Sequence, residues 1–161
     1  VKRFARLKPA ARDFRIYWDN AYSVHHLYED RQDYLIEILA ECKRAGNPDL
    51  VYKFASTSKI TFPGSGVAVI AASKNNVDFL LKQMNVQIIS YDKLNQLRHC
   101  YFYKNADDVR KQMKKHAALL RPRFETVLSG LSEQLDGLEI AAWNSPPRRI
   151  FYQSGRQYRF G

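Results

Sequence analysis

Cysteine is scarce in this chain of 161 residues. Cys42 and Cys100 are the only two, far apart and without metal-like spacing, which excludes a disulfide framework and a cysteine-based metal site. Long hydrophobic runs are missing as well. The longest aliphatic stretch, 67–72, falls far short of the ~20 residues that cross a bilayer, so no membrane partner is expected and the expected compartment is the cytoplasm. Acidic residues are few, 16 against 26 basic ones, for a net charge of +10. A surplus of that size raises nucleic acid as a partner, but its distribution argues otherwise. Lys2, Arg3, Arg6, Lys8, Arg12 and Arg15 crowd the amino end, and Arg148, Arg149, Arg156 and Arg159 the carboxyl end. Lys111, Lys114, Lys115 and His116 interleave with Met113, Leu119 and Leu120 at helical spacing, as on a solvated helix face. No base-reading or stacking motif accompanies the charge.

What is present is an alternation of strand-like and helix-like segments without internal repeats. The run Phe14-Arg15-Ile16-Tyr17-Trp18 reads as a strand ending at the turn-forming Asp19-Asn20. Asp30 is placed to cap a helix over 31–45, ended by Gly46-Asn47-Pro48. Strands are expected at 51–55 and 67–71, with a loop between them containing Pro63, Gly64 and Gly66. A helix opening at Asn76 should turn Val77, Leu80, Leu81 and Met84 inward, and 86–90 reads as extended. The pattern over 107–135 is helical, with a kink or break expected at Pro122. A further strand is expected at 137–143.

The chemistry concentrates at the strand ends. Lys59 follows Ser56-Thr57-Ser58 at the end of the 51–55 strand, and Asp19 and Tyr22 close the earlier one, so an amine, a carboxylate and a phenol could meet at one end of a sheet. Taken singly, each has an ordinary reading: Lys59 as a solvated loop charge, Asp19 as a turn cap, Tyr22 as core, and Ser56 or Ser58 as the closer of a local turn. His25 and His26 are adjacent, without a carboxylate or cysteine at ligand spacing, so packing or surface roles are preferred to metal binding.

Asp19-Asn20-Ala21-Tyr22 and Ser56-Thr57-Ser58-Lys59 resemble the D-x-A-Y and S-x-S-K signatures of fold-type I aminotransferases. The segment from Ser58 to Val67 resembles the S-K-I-T-x-x-G-x-G-V lysine segment of the aspartate aminotransferase-like group. The resemblance runs over roughly residues 8–145 and implies an α/β fold: part of the three-layer αβα large domain over 1–120, and the start of the small domain over 121–147. It implies pyridoxal 5′-phosphate as cofactor, held by Lys59 as a Schiff base, with Lys59 also the general acid and base. Asp19 would pair with the pyridinium nitrogen, Tyr22 with the ring oxygen, and Ser56 and Ser58 with the phosphate. An amino acid, aspartate or glutamate by subgroup resemblance, and a 2-oxo acid would be the substrates, and the parent protein a homodimer. Val67 stands where many fold-type I enzymes carry a phosphate-binding arginine, a departure shared with the glycine-rich aspartate-like group.

The length suits one core rather than a whole enzyme of this kind, so the chain is expected to be an internal piece, inactive by itself. The run Arg148-Arg149-Ile150-Phe151-Tyr152-Gln153-Ser154-Gly155 departs from the family's strand there, and a frameshift near Pro147 is expected to leave a non-native tail over 148–161. The alternative is an aminotransferase-like sensor domain of a transcription regulator.

Overall fold

Ile16, Tyr17, Trp18 and Asp19 alternate between half-buried and exposed, the period of a strand with one face on a core, and in the computed structural model of the chain they form β1 (Ile16–Asp19). The structure describes residues 1–32 and 34–138, with the backbone of 142–143 and 154–155. It divides into two units, Val1–Ala21 with Leu35–Lys104, and Tyr22–Tyr34 with Asn105–Gly161.

In the first unit a short helix, α1 (Lys2–Ala5), precedes β1, and α2 (Ile38–Arg44) precedes β2 (Val51–Ser56). β1 and β2 run parallel, with Ile16 opposite Val51 and Asp19 opposite Phe54. Parallel strands need a crossover rather than a tight turn, and α2 lies on that connection. β3 (Ala68–Ala71) joins antiparallel to β2, Ser56 opposite Ala68 and Lys53 opposite Ala71. The core is small: Ala5, Ile38, Cys42, Leu50 and Val51 are buried together, with Ile16, Trp18 and Leu39 packed against them. Burial of Cys42 raises its thiol pKa, with the nearby Glu37 and Glu41 charges acting in the same direction.

α2 ends as its sequence demands. Gly46 adopts φ 77°, the left-handed conformation that closes a helix, and the Asn47 N–H reaches back to the Cys42 carbonyl at 2.9 Å. Its start differs from the expected 31–45 span. The Glu37 carboxylate accepts from Ala40 N–H at 2.6 Å and from Lys53 at 2.8 Å, so helix begins at Ile38 and Asp30 caps nothing there.

α3 (Lys74–Gln87) is capped by Ser73, whose hydroxyl accepts from Asn76 N–H at 3.2 Å and donates to Asp49. That bond from Ser73, with one from Asn75 Nδ2 at 3.1 Å, holds the Asp49 carboxyl below the usual carboxylate range. Of the expected inward side chains, Val77, Leu80 and Met84 are half-buried and Leu81 is exposed. The helix also takes Val86 and Gln87, which were expected to be extended. α4 (Lys93–Phe102), capped by Asp92, was not anticipated.

The second unit is organised on α5 (Ala106–Leu135), 30 residues long. The Asn105 side chain accepts from Asp107 and Asp108 N–H at 2.9 and 3.1 Å, and both acids lie in the first turn, where the helix dipole favours them. Of the kink or break expected at Pro122, the break does not occur: one helix runs through the proline. Arg121 donates from Nε and Nη2 to the Leu27 carbonyl at 2.9 and 2.7 Å and covers the Tyr28 ring, while Tyr28 donates to Glu125 at 2.9 Å. That bond raises the Tyr28 pKa, because the neutral phenol is the donor. Of the strand expected over 137–143, Gly137 and Leu138 lie instead in the turn that follows α5, and the strand is β4 (Ala142–Trp143), paired antiparallel with β5 (Ser154–Gly155). The remainder of the expected tail over 148–161 lies outside the described residues. No described helix is long and apolar enough to cross a membrane.

Candidate functional site

The carboxyl ends of β1 and β2 come together because the strands are parallel and in register. Asn20 N–H donates to the Phe54 carbonyl at 2.8 Å, extending the pairing one step past Asp19. Asp19 closes an Asx turn, its Oδ1 accepting from Ala21 N–H at 2.9 Å. Asp19 and Ser56 both line a cleft of about 930 Å³ in the first unit, whose walls include Tyr17, Phe54, Leu80 and Met84. Tyr17 and Phe54 stack with ring centres 5.6 Å apart, giving that wall a flat aromatic surface.

Past β2 the chain coils into a tight turn that carries Lys59. The Thr57 carbonyl accepts from Ile60 N–H at 2.9 Å, Thr61 N–H at 2.8 Å and the Thr61 hydroxyl at 3.0 Å. Ser56 Oγ accepts from Ser58 N–H at 3.1 Å and donates to Ser58 Oγ at 3.1 Å. Ile60 is buried and Lys59 exposed, so the turn is anchored by its apolar member and presents its amine. Gly66 faces this turn so closely that a Cβ on it would stand 2.8 Å from Ser58 N and Cβ. The glycine is there for close approach, while Gly64, at φ 83°, is there for its backbone conformation.

Four of the five residues singled out from the sequence, Asp19, Ser56, Ser58 and Lys59, thus belong to the first unit, three of them in one β2-to-turn segment. Asp19 and Ser56 line the cleft; Ser58 and Lys59 are not among its lining residues. Tyr22 belongs to the second unit, where its ring meets the buried His25 edge-on at 5.2 Å.

Two residues that sequence reasoning passed over complete the surroundings of the turn. Asn95 Nδ2, on α4, donates to the Ser65 and Gly66 carbonyls at 3.0 and 3.3 Å. His99 Nε2 lies 2.8 Å from Thr57 Oγ1. The available signal was the cap: Asp92 accepts from Asn95 N–H at 2.9 Å, and an Asp before Lys93-Leu94-Asn95 is a helix start. Among the described residues no group of three or more His, Cys, Asp or Glu is placed to hold a metal ion.

Comparison with known proteins extends this reading. The family model described as aspartate amino-transferase matches residues 1–154. A Mycolicibacterium smegmatis protein classed as an aminotransferase is 42% identical over 151 residues, 94% of the chain and 35% of that protein. The crystal structure of an aspartate transaminase from Corynebacterium glutamicum superposes with a TM-score of 0.88 at 38% identity, covering 96% of the chain and 36% of its own. An α-aminoadipate aminotransferase from Thermus thermophilus, solved with N-(5′-phosphopyridoxyl)-L-leucine, shares the fold at 20% identity and a TM-score of 0.62, over 87% of the chain and 34% of its own. The chain spans about a third of the length of the curated relatives it matches.

Proposed function

The chain belongs to the aspartate aminotransferase family, and from that premise we propose that it carries the cofactor-anchoring segment of a pyridoxal-phosphate-dependent transaminase, with Lys59 as the anchor. The observation that carries the proposal is the convergence of the parallel strand ends: Asp19 on β1 and Ser56 on β2 line one cleft, and Ser56 leads into the turn that carries Lys59.

The donor set fits the group. An amine suits its aldehyde, a carboxylate its ring nitrogen and hydroxyls its phosphate. When bound, pyridoxal phosphate supplies an electron sink for the pair left when a substrate α-proton departs. Lys59 would hold it through Nζ, and its amine, when free, would move a proton at the substrate α-carbon as base and then acid. A free lysine, with an ordinary pKa of ~10.4, is mostly protonated at neutral pH, so this task requires its neutral form. Asp19 would hold the pyridine nitrogen protonated, its carboxylate fixed by the Ala21 N–H. Ser58 Oγ accepts from Ser56, which leaves its own hydroxyl hydrogen as a donor for phosphate. The role of Tyr22 as donor to the ring oxygen rests on the sequence pattern. Within the parent protein, an amino acid such as aspartate or glutamate and a 2-oxo acid would be the substrates and a homodimer the working form; this chain alone would be inactive.

The test is a spectral titration with pyridoxal phosphate. A visible band that saturates in the native chain and is absent in Lys59→Ala supports anchoring at Lys59. The same band in both chains would refute it.

A further inference from the structure

α4 is held to the first unit in an unusual way. Leu94, Leu97, Tyr101 and Phe102 are all at least half exposed, whereas Asn95 and His99 alone along the helix are half-buried. Spaced i and i+4, the two polar side chains share one face, and both reach the segments that flank Lys59.

The Asn95 carbonyl can only accept, so His99 Nδ1, at 2.9 Å from it, carries a proton. In the neutral ring Nε2 is then the acceptor, and the Thr57 hydroxyl donates to it at 2.8 Å. The same Thr57 oxygen accepts from Val67 N–H at 2.8 Å, and Thr57 N–H donates to the Val67 carbonyl at 3.0 Å. Asn95 adds its two bonds to Ser65 and Gly66. The Lys59 turn is therefore closed at its base by a chain running from α4 through Thr57 to Val67. Only Ser58 separates Thr57 from Lys59, too little chain to let the lysine wander while the base stays closed.

We propose that His99 is a positioning residue for Lys59: with Asn95 it clamps Thr57 to the 65–67 segment and so sets where the Lys59 amine is presented. The proposal rests on the reading of Lys59 as the cofactor anchor.

The test compares the native chain with His99→Leu and His99→Gln, the latter keeping an acceptor near the Nε2 position. Two quantities are read: amide hydrogen exchange at Thr57 and Val67, and the rate of borohydride-trapped pyridoxal phosphate labelling of Lys59 relative to the other lysines. Loss of one such bond, about 1.4 kcal/mol, corresponds to ~10-fold faster exchange in His99→Leu. The same variant should lose ~10-fold in Lys59 selectivity, and His99→Gln should restore both. Unchanged exchange in His99→Leu overturns the clamp. Faster exchange with unchanged selectivity, or no rescue by Gln, overturns the positioning role. If His99→Leu does not fold, Thr57→Val removes the same bond from its other end together with the Val67 N–H bond, so for that variant only the Thr57 amide and the Lys59 selectivity are read, by the same criteria. Unselective labelling in the native chain beside protected Thr57 and Val67 amides would instead refute Lys59 as anchor and leave the clamp standing.

Discussion

Gly66 and Ser58 are in such close approach that a single methyl group on Gly66 would meet Ser58 N and Cβ at 2.8 Å and Ser58 Cα at 2.9 Å. Backbone atoms cannot swing aside as a flexible side-chain end can. The Lys59 turn and the segment leading into β3 are therefore fitted to one another through the absence of a side chain.

Gly66→Ala should destabilise the chain by about 1–3 kcal/mol in urea denaturation and reduce selective labelling of Lys59. Gly64→Ala is the control. Its Cβ meets open space, and only the strain of φ 83° is incurred, about 1–2 kcal/mol. Loss of Lys59 selectivity should follow the Gly66 change and not the Gly64 change, because only Gly66 touches Ser58.

Asp19→Ala should weaken pyridoxal phosphate binding roughly 10-fold or more, since a charge-assisted hydrogen bond contributes about 1.5–3 kcal/mol. Equilibrium titration of the visible band measures it. Equal affinity in the variant would remove Asp19 from the site.

Glu37 gives the first unit an acid sensitivity. Burial works to raise its pKa, but hydrogen bonds from Lys53 and from the Ala40 and Leu39 amides outweigh burial and hold it below its ordinary 4.5. The unfolded chain then binds the proton more readily, so the stability from Glu37 is present above about pH 4.5 and is lost as pH falls through the lower folded value. Glu37→Gln should cost about 0.5–2 kcal/mol at pH 7 and flatten the decline of the urea midpoint below pH 5. A variant as steep as the native chain would contradict this.

Pro122 is exposed inside α5 and cannot donate toward the Ala118 carbonyl one turn earlier. Pro122→Ala restores that donor and should stabilise the chain by about 1–3 kcal/mol, read as a higher midpoint of thermal unfolding. A lower midpoint would mean that the proline is required by packing along the helix.

Much of this was legible in the sequence where local chemistry has a single solution. The β1 run ends at Asp19 because Asp-Asn turns, α2 stops at Gly46 because glycine tolerates positive φ, and β2 leads into Lys59 through serines that bond one another. The start of α2 was hidden because Leu35 and Ile36 continue its apolar spacing, while the cap is Glu37, a side chain tied in turn to Lys53 on β2. The continuity of α5 through Pro122 was hidden because thirty residues of helix, capped by Asn105 and bound along one side by Arg121 and Glu125, outweigh one missing donor. His99 was hidden because a single histidine carries no pattern; its significance arises only when folding brings it to Thr57.

The most direct test of the central claim is to treat the native chain with pyridoxal phosphate, reduce it with borohydride and map the modified lysines by mass spectrometry. Modification concentrated on Lys59, and weakened by Asp19→Ala, is the predicted result. Modification spread evenly over the surface lysines would contradict Lys59 as the anchor.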